Sequence, residues 1–178
     1  MLHNNPEKVI VFALTSFKGC FSLDWPYENI ITMYKPQKGQ PFIAHEDGPN
    51  SPFDHQRVIS KLTFELGLLY YQQKRIILEP LPETPLDEGT GHAVPDVILY
   101  DKTAEETKII IEVCQNNGQR NDLRKIIYLI EDNDYGILEG FVYNYKTHEW
   151  LRYRKGDGGV ATNSAVSEVM GIDMGPFL

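Results

Sequence analysis

Cysteine is scarce, with only Cys20 and Cys114 in 178 residues. Two thiols make no disulfide framework, and Cys114 falls in an apolar, strand-like run, so a reducing cytoplasm is the expected setting. Positive charge is also short: 17 Lys and Arg stand against 25 Asp and Glu, a net charge of −8. Phosphate binding depends on Lys and Arg releasing counterions, so this balance excludes a general nucleic-acid coat and confines any contact with DNA to a local patch. Long hydrophobic runs are missing. The run VIVFAL at residues 9–14 is too short to cross a bilayer and follows an acidic start, which argues for a soluble, unsecreted protein with no membrane partner. A glycine-rich phosphate loop, a CxxC pair and an HExxH helix are likewise missing, which removes the nucleotide, zinc and metalloprotease classes that depend on them.

What is present suffices for one core. A chain of this length that is 42% hydrophobic fits a single domain spanning residues 1–178. The informative stretch runs from His92 to Gln115, where two strand-like runs, VILY and KIIIEV, each carry an acid in an unusual place. Asp96 opens the first and Glu112 interrupts the second. Side chains alternate along a strand, so Ile110, Glu112 and Cys114 share one face while Ile111 and Val113 share the other. Both faces are otherwise apolar, the pattern of a central strand covered on both sides. A buried carboxylate there must be paired, protonated or bound to a metal. A nearby Arg or Lys is the plain alternative.

Pro95-Asp96, then Glu112-Val113-Cys114-Gln115 and the polar helix start NNGQRNDLRKIIYLI, resemble the PD-(D/E)xK nuclease superfamily. The order of elements over residues 51–155 is similar to that of the small Uma-type candidate endonucleases. The resemblance implies an α/β, restriction-endonuclease-like fold, a mixed central sheet flanked by helices and closed by a C-terminal β-hairpin. It also implies a metal-dependent endonuclease acting on DNA rather than RNA. Asp96, Glu112 and the Val113 carbonyl would offer Mg²⁺ or Mn²⁺ its hard oxygen ligands. Where the motif has lysine, this chain has Cys114. Lys125 on the following helix is the replacement, although a helical projection turns it toward solvent, and Gln115 or Gln119 are uncharged alternatives. A silent member of the same fold, kept as a binding or assembly module, is the other reading. Oligomeric state stays open; a homodimer is what the resemblance suggests, since such nucleases often pair two sites to cut two strands.

The flanking segments add further expectations. Residues 1–50 read as an extension packed on the core, with strands at 9–14 and 30–34. Ser51, Pro52 and Asp54 form a helix start, and Val58, Leu62, Leu66 and Leu69 give that helix an apolar stripe to about residue 72. Glu65 lies in the stripe and is either a further metal ligand or a partner of Lys61 or a core hydroxyl. His55 lies toward the same side. Residues 74–79 (KRIILE) read as the first strand of the core, bringing Glu79 near the site. Residues 118–132 form an amphipathic helix, and residues 135–145 and 150–154 a hairpin in which Arg152 and Arg154 share a face and could join Arg120 and Arg124 in a positive surface. Residues 156–178 carry no motif and read as a partly ordered tail or an oligomer contact.

Overall fold

The computed structural model describes residues 30–33, 53–87, 93–115 and 118–178. The expected strand at 9–14, the cap residues Ser51 and Pro52, and His92 lie outside them. Helix α1, Phe53–Gly67, buries His55, Ile59, Leu62 and Leu66 and continues as a π-helical turn, Leu68–Gln72, that buries Leu69. The apolar stripe is therefore centred on Ile59 rather than Val58, which moves His55 inward and Glu65 to the margin.

Strands β1 (Ile30–Met33), β2 (Glu79–Pro82), β3 (Val97–Asp101), β4 (Glu106–Cys114), β5 (Glu139–Asn144), β6 (Glu149–Arg154) and β7 (Val160–Asn163) form one sheet in the order β1-β7-β6-β5-β4-β3-β2. All neighbours are antiparallel except β4 and β5, which run parallel through helix α2, Gly118–Glu131. The architecture is thus α/β with a mixed central sheet, as expected, and β5–β6 is the anticipated hairpin. No helix of the described residues is long and apolar enough to cross a membrane.

The core has two layers, one on each face of the sheet. Ile109, Ile111 and Val113 of β4 pack with α1, together with Phe141, Tyr143 and Trp150. Ile110 and Cys114 face α2 with Ile126, Ile127, Ile130, Val142 and Tyr153. A strand buried on both faces therefore delivers Glu112 to the α2 side at its C-terminal end.

Two expectations are corrected. The first core strand is not KRIILE but Glu79–Pro82, in what reads as a proline-rich connection. Pro80 and Pro82 are tolerated because β2 is an edge strand that pairs with β3 alone. Residues 156–178 are no tail. They supply β7, a small ribbon of β8 (Val166–Ser167) and β9 (Ile172–Asp173), and a closing 3₁₀ turn, Gly175–Phe177. Ile172 and Met174 are buried in the α1-side core.

Candidate active site

The β3–β4 ladder ends at Val97↔Ile111, so Asp96 and Glu112 occupy the next step, where the backbones part. Asp96 fills the gap with its side chain. Its Oδ2 accepts the Val113 N–H at 2.6 Å, and the Nε2 of His55, from the first turn of α1, lies 3.3 Å from the same oxygen. In an extended strand a residue's N–H and C=O leave on the same side. The Val113 carbonyl is therefore also turned toward Asp96.

Glu112 is only 4% exposed. Lys125, from the second turn of α2, brings its Nζ to 2.9 Å from Glu112 Oε1 and donates a hydrogen bond to the Val94 carbonyl at 3.1 Å. The ammonium and Oε1 stand as a close ion pair, the one charged partner of that buried oxygen among the described residues. Burial raises the Glu112 carboxyl to about 8; the Lys125 charge opposes the rise and Asp96 adds to it. For Lys125, burial acts to lower the ammonium, but Glu112, with Asp96 and Asp122 behind it, outweighs burial and holds it above its ordinary value. The helical projection that turned Lys125 toward solvent is corrected: its side chain is 12% exposed, because a four-carbon stem can reach back over the preceding turn.

The remaining residues divide clearly. Gln115 is exposed beside the site, its Oε1 accepting the Tyr145 hydroxyl at 2.9 Å, and the Tyr145 ring meets His55 edge-on at 6.4 Å. Glu65 is not brought to the site. It is half-buried with no hydrogen bond or ion pair among the described residues, and it stands ten positions beyond His55, about 15 Å along the helix axis. His55 takes the place on α1 expected of Glu65; the signal for it was a histidine in phase with an apolar stripe. Glu79 sits at the far end of β3, opposite Tyr100, where it accepts the Tyr71 hydroxyl at 2.6 Å and pairs with Lys102 at 2.9 Å. Arg152 and Arg154 are spent on Glu168 and Asp157, at 3.3, 2.7 and 3.1 Å, and form no positive surface. Cys114 is buried, and burial, then Asp122, pushes its thiol far above its ordinary range, so it stays a neutral thiol and no nucleophile.

Among the described residues no three His, Cys, Asp or Glu side chains converge as a ready metal cage. Mg²⁺ needs fewer protein ligands, since it keeps several waters and uses one or two carboxylates. The donor types fit that demand: Asp96 Oδ1 is engaged by none of the described donors, and Glu112 Oε1, buried, has only the Lys125 ammonium beside it.

No protein-family model matches the chain, and no curated protein matches it. Among solved structures it is similar to a candidate nuclease belonging to DUF820 from Anabaena variabilis, at 14% identity over 72% of this chain and 77% of that one, with a TM-score of 0.50. A complex of DrdV with DNA matches at 12% identity over 67% of this chain and 13% of that one, with a TM-score of 0.33, too distant in shape to bear on the fold. That likeness is one of fold, and the chain has an α/β, restriction-endonuclease-like architecture with a mixed central sheet flanked by helices.

Proposed function

We propose that the protein is a metal-dependent nuclease that hydrolyses phosphodiester bonds, in DNA rather than RNA. One observation carries the reading: Lys125 arrives from α2 beside Glu112, where it would stand in for the lysine that β4 lacks at Cys114. Asp96, Glu112 and the Val113 carbonyl would hold Mg²⁺ or Mn²⁺. Such an ion, when bound, lowers the pKa of a water and polarises a phosphoryl oxygen. Lys125 then supplies a fixed ammonium for the charge that develops on the phosphate oxygens, in a site largely closed to water. Gln115, exposed at the rim with its carbonyl held by Tyr145, would offer its amide N–H groups to a phosphate.

The test is plasmid cleavage in Mg²⁺ or Mn²⁺ by the wild type and by Lys125→Met, with Asp96→Asn and Glu112→Gln as metal-site controls. Removing one preorganised donor of developing charge should slow cleavage by about 10²–10³-fold. Equal cleavage by Lys125→Met sinks the proposed role of that lysine. The net charge of −8 and the neutralised Arg152 and Arg154 favour a second reading, a silent module of the same fold. Calorimetry separates the two, since a silent module takes up no Mn²⁺ at millimolar concentration.

A further inference from the structure

We infer that His55 is a positioning residue that fixes Asp96 with Oδ1 turned outward for a divalent cation; this deepens the nuclease reading and rests on it. The imidazole is 5% exposed at the head of an apolar stripe that continues through Ile59, Leu62 and Leu66. A polar ring in that place is costly unless it meets a polar partner. Its Nε2 meets Asp96 Oδ2, the same oxygen that receives the Val113 N–H. An aspartate can present either carboxylate oxygen by turning about its last torsion. With the Val113 N–H and the imidazole Nε2 both against Oδ2, that turn costs two contacts at once, and Oδ1 becomes the oxygen left for a ligand. The Tyr145 ring, edge-on to the imidazole, limits how far His55 can swing. Partners behind a metal ligand orient it in this way, and their loss typically weakens metal affinity by about 10–100-fold.

The experiment measures Mn²⁺ binding by calorimetry in the wild type, His55→Leu and His55→Gln, alongside their thermal midpoints without metal. Leucine keeps the packing and removes the donor; glutamine keeps an N–H donor. The expected result is Mn²⁺ affinity about tenfold weaker in His55→Leu and largely restored in His55→Gln, whatever the order of the midpoints. His55→Leu binding within twofold of the wild type overturns the inference, and so does equal loss in both variants. If His55→Leu does not fold, the imidazole ¹⁵N spectrum of the wild type decides. Nε2 carrying the proton, with its signal moved by Asp96→Asn, supports the contact; a bare Nε2 refutes it. A wild type that binds no Mn²⁺ fails the nuclease reading itself, a result distinct from binding that ignores His55.

Discussion

Glu112 has an ammonium 2.9 Å from one oxygen, and burial still outweighs that charge, holding the carboxyl to about 8 against an ordinary 4.5. The sign of the consequence follows from linkage. Between pH 4.5 and about 8 the folded chain keeps a proton on Glu112 that the unfolded chain has released. Stability from this group is therefore full below 4.5 and is lost as pH rises through 8. Lys125, held above 10.5, titrates outside that window. Urea midpoints measured in chelator from pH 5 to 9 should fall for the wild type, and Glu112→Gln, which cannot ionise, should flatten the fall. An unchanged slope in Glu112→Gln would assign the pH dependence to other groups. That Asp96 and Glu112 would stand near each other was legible in the sequence, since each interrupts an apolar strand run, and the charge partner named there as the plain alternative for Glu112 is Lys125. The place of Lys125 was not legible, since a projection fixes where a stem begins and says nothing of where four flexible carbons end. Glu65 and His55 were exchanged for a subtler reason: one residue of phase in the α1 stripe, Val58 against Ile59, decides which polar side chain faces inward.

At the scale of elements, the placement of Lys125 depends on how closely α2 lies on the sheet. Gly140 of β5 makes that approach feasible. A Cβ built there would stand 2.2 Å from Ile126 Cγ2, 3.2 Å from Ile130 Cδ1 and 3.4 Å from Ile110 Cγ1. Ile126 adjoins Lys125 in the chain, so a helix lifted to admit the methyl carries the ammonium away from Glu112. Gly140→Ala should destabilise the protein by about 1–3 kcal/mol, the usual cost of overpacking, despite the better strand propensity of alanine. A lower urea midpoint at unchanged m-value is the expected result. A midpoint equal to the wild type would mean that α2 rides up at no cost. Elements with a clean period were readable in advance, namely β3, β4, α2 and the β5–β6 hairpin. The edge strand β2 was not, because Pro80 and Pro82 argue against a strand until its outer edge is known to lack a partner.

Over the whole molecule, the last 23 residues close both the sheet and the α1-side core, and a buried acid ties them down. Glu139, 1% exposed at the start of β5, accepts the Ser167 hydroxyl at 2.6 Å and the backbone N–H groups of Glu168 and Val169 at 2.8 and 3.4 Å. These three donors satisfy a carboxylate that would otherwise be stranded. Little of this could be read from the sequence. Two-residue strands carry no detectable period, and the partner of Glu139 lies 28 positions away, joined to it by side-chain chemistry alone. Ser167→Ala leaves one oxygen of a buried carboxylate without that donor, and should cost about 1.5–3 kcal/mol, the range for a hydrogen bond to a charged group. Deleting residues 156–178 does more: it takes β7 out from between β1 and β6 and uncovers α1 where Ile172 and Met174 had packed. The chain ending at residue 155 should lose its native near-UV circular dichroism and its cooperative thermal transition. A truncated chain that melts cooperatively near the wild-type midpoint would show that the site-bearing half of the sheet, β2 to β6, holds together without its closing segment.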